Sequence, residues 1–364
     1  MGSTSGPRAV VYRTTLATAA VVIVIAGARA AAPILTPFAL AVFLTAVSLP
    51  ALQWLRRRGA PTALAILGVV AADALILGFF GWIVLQTAGE LRAELPGYIV
   101  RLQELEQAVR ARLLGWGLDP GPGDYTALAA PQRVLDMVTT VARSVTTALV
   151  FLFLILLYLV FILAESVALP DKVRRVLGPQ AAGVAMGAAV LIQVQRYLVL
   201  KTLISLVTGV LIGSGAALLG VDFALFWGLL AFALNYVPNI GSVIAAIPAL
   251  LVALLQLGSG TAIILGIIYL VVNLVVGSFA DPIIIGRELR LSPLIVLMSL
   301  VFWGWVWGPI GMFLAVPLTI AVRIGCEHSG QLGWVAALMG PVEGTGAARG
   351  ESRRRSGSFE SPPE

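Results

Sequence analysis

The stretch Asn235-Tyr-Val-Pro-Asn-Ile-Gly-Ser-Val-Ile-Ala-Ala-Ile-Pro248 interrupts an apolar segment that runs from Phe223 to Leu257. It contains two prolines, a glycine and two asparagines, which are residues that break helices or favour turns. In lipid, such a break leaves backbone N–H and C=O groups without helical partners, so it persists only where protein buries it or where it lines a watery cavity. The stretch therefore predicts a broken segment that the rest of the chain holds at membrane depth.

The composition of the whole chain indicates a membrane protein. Of its 364 residues, 59% are hydrophobic and 12% are charged, whereas a soluble domain has about 25% charged residues. Apolar runs of about 18 residues or more recur along the length, as in transmembrane helices. We therefore predict an all-α polytopic membrane protein.

Several function classes are excluded by the scarcity of reactive side chains. One cysteine, Cys326, and one histidine, His328, cannot build a disulfide framework, a thiolate cluster or a histidine-rich metal site. The glycines are not followed by the Lys-Ser/Thr ending of a phosphate-binding loop. We expect neither an enzyme nor a cofactor. The net charge of +6 comes largely from arginines that flank apolar runs, which reports orientation in a membrane rather than binding to nucleic acid.

The arginine run Arg56-Arg57-Arg58 follows the second apolar run and places that end in the cytoplasm. The N-terminus is then also cytoplasmic, because two spans separate the two points, and the arginine-rich C-terminal tail is expected on the same side. The predicted segments are a cytoplasmic leader (1–13), three transmembrane helices (14–87), extracytoplasmic amphipathic helices (88–143), a transmembrane helix (144–164), a cytoplasmic connector (165–201), a transport core with broken helices (202–325) and a disordered cytoplasmic tail (326–364).

The insert at 88–143 begins with an apolar stripe whose members are three or four residues apart, which is typical of an amphipathic helix. The stripe consists of Leu91, Leu95, Ile99, Leu102, Leu105, Val109 and Leu113. The insert either covers the surface of the bundle or contacts another subunit.

A second break, Gly308-Pro-Ile-Gly311 followed by Pro317, resembles the first. Each break follows a full span and an apolar piece that is too short to cross a core of about 30 Å at about 1.5 Å per residue. If the two units form an inverted repeat, each is a span plus a re-entrant hairpin, and the hairpins enter from opposite sides. The alternative is that each pair of short pieces is one kinked span. Paired broken helices in corresponding halves point to the binding site of a transporter.

The candidate pathway residues are the polar and helix-breaking residues of these regions and two carboxylates. They are Asn235, Pro238, Asn239, Gly241, Pro248, Asn273, Asp281, Pro282, Pro309, Gly311, Pro317 and Asp73. The asparagines either bind a hydroxylated solute or join helices. Asp73 lies in the middle of a span, where a carboxylate is a functional hypothesis by default, and the alternative is a hydrogen-bonded aspartate buried between helices. Asp281, at the end of a span, either handles solute or protons or is simply solvated.

At the two breaks the sequence resembles the AI-2E transporter family, the autoinducer-2 exporter-like permeases. Asn235-Tyr-Val-Pro238-Asn-Ile-Gly241 is similar to that family's Asn-Phe-Ile-Pro-Tyr-Ile-Gly signature, and Trp307-Gly-Pro-Ile-Gly311-Met-Phe-Leu-Ala-Val-Pro317-Leu is similar to its C-terminal signature. Smaller matches at Pro282, Gly286, Pro293, Pro37, Phe38, Pro50, Arg57, Arg58 and Gly59 extend the resemblance over most of the chain.

The resemblance implies a bacterial inner-membrane permease that forms homo-oligomers, with about eight membrane-inserted segments. It also implies export of a small polar solute such as autoinducer-2 in some members, and sodium–proton or lithium–proton exchange in others. The partners would be that solute or a monovalent cation or proton, together with the lipid bilayer. A membrane scaffold that acts through 89–143 without transport is a third hypothesis. Val276 stands where many members carry an acidic residue, and Ser292 where they carry histidine, so cation coupling through that acidic position is in doubt.

Overall fold

The computed structural model describes residues 7–117, 148–168, 182–237, 241–280, 291–328 and 333–340, together with positions 172 and 175. All regular structure within these ranges is helical. In chain order the helices are α1 (Pro7–Ala30), α2 (Ala32–Arg57), α3 (Thr62–Gly115), α4 (Ala148–Ala168), α5 (Ala182–Leu218), α6 (Ala224–Leu234), α7 (Gly241–Leu257), α8 (Ser259–Asn273), α9 (Pro293–His328) and α10 (Gly333–Met339). The π-helix Leu274–Ala280 continues α8.

Six of the described helices are long and apolar enough to cross a membrane: α2, α3, α4, α5 from Ile192 onward, α8 up to Gly277, and α9. The prediction of an all-α polytopic membrane protein is confirmed. The first expected span falls within α1, whose apolar part, Thr18–Ala30, is shorter than the others. Helix α5 begins at Ala182, within the segment 165–201.

Helix α3 is the longest element, with 54 residues, which corresponds to about 80 Å at the usual rise of an α-helix. It runs through Pro96 without interruption. The change from apolar to amphipathic sequence near residue 88 is therefore not a helix boundary, and the proximal half of the insert is a rigid extension of a membrane helix. The part of the insert from 118 to 147 lies outside the described residues.

Helices α6 and α7 form an antiparallel hairpin, called here the first hairpin. Its tip is tight, because a Cβ on Gly241 would overlap the carbonyl oxygen of Leu234. Its open end is joined by Gln256, whose Oε1 accepts a hydrogen bond of 2.8 Å from the Asp222 backbone N–H. Residues 222 and 256 can meet only if the chain reverses between them, so this segment is not a kinked continuous span.

Helix α9 also folds back on itself and forms the second hairpin. The break lies at Gly308, where φ is 65° and ψ is −147°, a conformation that side chains rarely tolerate. The Trp303 Nε1–H donates a hydrogen bond of 3.1 Å to Thr319 Oγ1, although the two residues would be about 24 Å apart in a continuous helix. A Cβ on Gly311 would overlap the carbonyl oxygen of Trp303, so Gly311 plays the same part here as Gly241 does in the first hairpin.

The two hairpins open toward opposite ends of the bundle. The first hairpin is tied at its open end to Tyr98 and Arg101 in the distal half of α3. The second hairpin has its tip, not its open end, beside the junction of α1 and α2, where Trp307 Nε1–H donates to the Ala28 carbonyl. Since α3 starts at the Arg57 end of α2 and runs antiparallel to it, the first hairpin opens at the Ala31 end and the second at the Arg57 end.

Three glycines allow α5 and α6 to pack with their backbones in contact. A Cβ on Gly228 would lie 2.7 Å from the Gly209 carbonyl oxygen and 3.0 Å from the Gly213 Cα. Glycines spaced four apart, as at 209 and 213, commonly permit such close approach of membrane helices. Because lipid supplies no hydrophobic driving force between helices, this close van der Waals contact is a main source of stability. It fixes α6, and with it the first hairpin, against α5.

We expect Gly228→Ala to destabilise the protein by about 1–3 kcal/mol, because the added methyl group overpacks an interface between two backbones. Thermal unfolding in detergent, followed by the loss of the monodisperse peak in size-exclusion chromatography, measures the effect. Gly78→Ala is the matched control, because a Cβ at that exposed position on α3 meets nothing within 4 Å. Equal melting temperatures for the two variants would contradict the packing role of Gly228.

Candidate functional site

The tip of the first hairpin is held against α5 by two side-chain hydrogen bonds. Asn235 Nδ2–H donates to Ser205 Oγ at 3.0 Å, and the Tyr236 hydroxyl donates to Thr202 Oγ1 at 2.6 Å. Thr202 in turn donates its hydroxyl proton to the Leu198 carbonyl at 2.7 Å, so toward Tyr236 it acts as the acceptor. The broken segment is thus anchored by side-chain hydrogen bonds to an intact neighbouring helix.

The face of α5 that meets the hairpin tip is polar over several turns. Tyr197, Lys201, Ser205 and Thr208 are spaced by four, four and three residues, which places them on one side of the helix. All are buried: their exposed fractions are 3%, 3%, 0% and 3%. We call these four residues the α5 stripe. A buried polar stripe on a membrane helix faces protein or a water-filled cavity rather than lipid.

Lys201 is the residue of this stripe whose buried position was not predicted from the sequence. Its charge, close to Arg196, suggested the end of a cytoplasmic connector, but the side chain is almost fully buried. It lies next to Thr202 in the chain and one helical turn before Ser205, so its position adjoins both contacts of the hairpin tip. The spacing of polar residues at three and four within an apolar run is the signal that could have identified the stripe.

Aromatic rings fill the space between the two hairpin tips. Tyr236 of the first hairpin lies 4.4 Å from Phe313 of the second, measured between ring centroids, and both rings contact Phe43 of α2 at 5.5 and 5.0 Å. Phe43 is near the middle of α2, so the two hairpins contact one another beside the middle of that helix. Phe232 extends the cluster toward Phe80 of α3.

A second contact between the hairpins is purely apolar. Val237, Leu300 and Ala315 form a buried cluster against which Trp303 packs. Val237 lies just before the break of the first hairpin, while the other three residues belong to the two arms of the second. The two breaks that looked like related sequence features therefore contact one another in space.

The tip of the second hairpin is tied to α1 rather than to α5. Besides the contact of Trp307 with Ala28, the Arg29 guanidinium lies 4.7 Å from the centre of a Trp305 ring, within the range of a cation–π interaction. Each of the three tryptophans in this arm thus has a separate partner: Thr319 for Trp303, Arg29 for Trp305 and Ala28 for Trp307.

The predicted site residues other than Asp73 divide into three groups. Asn235, Gly241, Pro309 and Gly311 lie at or beside the hairpin tips, and Pro248 and Pro317 lie inside the hairpin arms. Asn273 is half-buried at the junction of α8 with the π-helix, and its side chain makes no hydrogen bond among the described residues. Pro238, Asn239, Asp281 and Pro282 lie outside the described residues.

Asp73 is buried, but in a different part of the bundle. Both of its carboxylate oxygens lie within hydrogen-bonding distance of the Ser48 hydroxyl on α2, at 3.0 and 2.9 Å. The surrounding core is formed by α2, α3 and α4. Asp73 lies about 10 Å along α3 from Phe80, the nearest part of that helix to touch the aromatic cluster. The structure therefore does not bring this carboxylate together with the hairpin tips.

Within the described residues, no group of three or more His, Cys, Asp or Glu side chains could hold a metal ion. The chemistry offered around the tips consists of hydroxyl, amide and ammonium groups beside aromatic rings. Such groups can form hydrogen bonds and stacking contacts.

Comparison of the sequence with known proteins identifies relatives over most of the chain. The sequence model of the family described as AI-2E family transporter matches residues 18–329 of this chain. The AI-2 transport protein TqsA of Escherichia coli is 38% identical over 322 residues, which is 87% of this chain and 92% of that protein. The YhhT protein of the same species is 35% identical over 323 residues, or 89% of this chain and 93% of its own length. The matched region contains all of the membrane-crossing helices and both hairpins, and the chain therefore belongs to the AI-2E family of transporters.

Proposed function

We propose that this permease exports a small polar solute such as autoinducer-2 across the bacterial inner membrane, and that the solute passes between the two hairpin tips and the α5 stripe. The observation that carries the proposal is the pair of contacts that join Asn235 and Tyr236 to Ser205 and Thr202. They gather uncharged donors and acceptors near mid-depth, which is where secondary transporters bind their substrates. The similarity to a protein named for AI-2 transport supports this choice of solute.

The opposite opening of the two hairpins supports alternating access. The first hairpin closes the space between the tips and the Ala31 end of the bundle, and the second closes the space toward the Arg57 end. Displacement of one hairpin at a time would expose the shared site to one side of the membrane. Aromatic rings between the tips can keep the pathway closed while neither hairpin is displaced.

The direction of export requires an orientation, which we propose from charge. Arg56, Arg57 and Arg58 mark the Arg57 end as cytoplasmic, since basic residues next to membrane helices are enriched on that side. The two chain termini then face the cytoplasm, the second hairpin opens to the cytoplasm and the first to the outside.

We expect Tyr236→Phe to lower the rate of autoinducer-2 efflux from loaded proteoliposomes about five-fold, because it removes a hydrogen bond worth about 1 kcal/mol. Asn235→Ala should act in the same direction, since it leaves Ser205 without its donor. Tyr158→Phe is the matched control, because the Tyr158 ring packs against Phe38 and the core of α2, α3 and α4, while its hydroxyl makes no hydrogen bond among the described residues. Unchanged efflux in both hairpin variants would exclude the tip as the pathway. Absence of flux for every solute and cation in the unmodified protein would favour the scaffold hypothesis.

Cation–proton exchange is the second candidate, and the burial of Asp73 is the observation that favours it. A carboxylate with an exposed fraction of 7% and a serine hydroxyl as its partner is an expensive feature in a membrane helix. A proton-carrying role would explain why it is there. Asp281 remains a prediction for the same role.

Asp73→Asn separates the two candidates, because asparagine keeps the shape and a hydrogen bond to Ser48 but cannot exchange a proton. If Asp73 carries coupling, the variant loses sodium- or lithium-driven proton movement in proteoliposomes that contain a pH-sensitive dye. If solute export is the activity, we expect the variant to keep at least about half of its autoinducer-2 efflux, since one surviving hydrogen bond limits the loss. Ser48→Ala is the control for damage to the α2–α3 interface alone. Retention of cation-driven proton movement in Asp73→Asn would rule out this residue as the coupling group.

A further inference from the structure

The open end of the first hairpin is joined to α3 by a network of hydrogen bonds that no sequence motif indicates. The Tyr98 hydroxyl donates to Asp222 Oδ2 at 2.8 Å. Arg101 Nη1–H reaches the last carbonyls of α7, those of Leu255 and Gln256, both at 3.0 Å. A basic side chain in this position satisfies carbonyls that have no helical partner and interacts favourably with the helix dipole.

Two further groups complete the network on the hairpin side. Gln256 accepts from the Asp222 N–H at 2.8 Å and donates to the Gly220 carbonyl at 3.1 Å. Trp227 Nε1–H donates to the Asp222 carbonyl at 2.8 Å. These bonds hold the turn before α6, in which Phe223 has the left-handed φ of 60°. Asp222 and Gln256 therefore belong to the hairpin, whereas Tyr98 and Arg101 approach it from α3.

Exposure distinguishes this network from the contacts at the hairpin tip. The Arg101 side chain is exposed and Asp222 and Gln256 are half-buried, whereas Tyr98 is buried, so water can replace the partners of Arg101, Asp222 and Gln256 when the bonds break. A hydrogen bond that exchanges with water has a small net free energy, about 0.5–1.5 kcal/mol, whereas a buried group left without a partner loses its full desolvation energy. Breaking the bonds from the tip to Ser205 and Thr202 would leave buried groups without partners, because Ser205 and Tyr236 are almost fully buried.

The packing of the two interfaces also distinguishes the contact of the first hairpin with α5 from its contact with α3. The first hairpin is close-packed on α5 through Gly209, Gly213 and Gly228. Between α3 and the α5–α6 pair, by contrast, lies an open apolar groove of about 380 Å³. Phe79, Phe80 and Ile83 line it from the side of α3. Protein interiors are packed at about the density of organic crystals, so the interface of α3 with the α5–α6 pair is looser at this groove than the interface between α5 and α6.

We propose that Tyr98, Arg101, Asp222 and Gln256 form a reversible latch, which holds the α5–α6–α7 unit against the distal half of α3 in this conformation and opens when the unit moves. The latch lies at the water-facing end of an interface that is loosely packed at depth. It does not depend on the identity of the solute. The long α3 extension then has a mechanical role, as the fixed arm against which the first hairpin is held.

Distance measurement between two spin labels tests the latch directly. The full-length protein with Cys326→Ser is labelled at Arg112→Cys on α3 and Ser259→Cys at the start of α8, both exposed positions, and is reconstituted in liposomes. Double electron–electron resonance should show a major shorter distance and a minor longer one. Tyr98→Phe should raise the ratio of long to short distances about five-fold, equivalent to about 1 kcal/mol.

A second labelled pair separates opening of the latch from loosening of the unit. Labels at Leu203→Cys on α5 and Leu257→Cys on α7 lie within one body and should give the same distance with and without Tyr98→Phe. Tyr158→Phe should leave both pairs unchanged. A single, unaltered distance for the 112–259 pair in Tyr98→Phe and in Arg101→Ala, which removes both bonds to the α7 carbonyls, would overturn the proposal. A change in the 203–257 pair would also overturn it, because the network would then serve the fold of the hairpin itself.

Discussion

The need to satisfy polar groups inside an apolar bundle explains most of the arrangement. An intact membrane helix meets this need within itself, but a broken one leaves backbone groups that neighbouring protein must serve. Polar side chains beside both breaks also need partners, and intact helices supply them. Helix α5 supplies the hydroxyls of Ser205 and Thr202 to side chains of the first hairpin, and α1 supplies the Ala28 carbonyl to the Trp307 indole of the second. The breaks thus determine where the intact helices must lie.

Close backbone packing and polar contacts depend on each other at the first hairpin. The hydroxyls of α5 are short, so Asn235 can reach Ser205 only if the two backbones are near. The contact between Gly209 and Gly228 supplies that proximity a few residues away. Conversely, glycine alone adds flexibility and exposes backbone groups, so it does not fix the register of α6 against α5. The directed hydrogen bonds fix that register. Neither feature would position the tip without the other.

The helix breaks could be predicted from the sequence, because proline and glycine interrupt helices locally. The short length of an apolar segment can also be read directly from the sequence. Long-range contacts could not be predicted in this way. Tyr98 and Asp222 are 124 residues apart, and no feature of the sequence around either residue indicates that the two side chains are in contact. The α5 stripe was missed for a different reason, since a lysine near other basic residues ordinarily marks an aqueous segment. The amphipathic pattern after residue 88 indicated helix correctly, but periodicity alone does not say whether that helix continues the preceding span.

The two hairpins are bound to different neighbouring helices, and this difference affects how each of them can move. The first is bound at its buried tip to α5 and at its wet, open end to α3, so the bonds that break most easily are those to α3. The second is bound at its tip by Trp305 and Trp307 to α1, and at its open end the Ser292 N–H donates to the Met339 carbonyl of α10. Motion that keeps the buried contacts would therefore carry the first hairpin together with α5. Two breaks that resemble each other in sequence thus need not perform the same movement, because the fold attaches them to different helices.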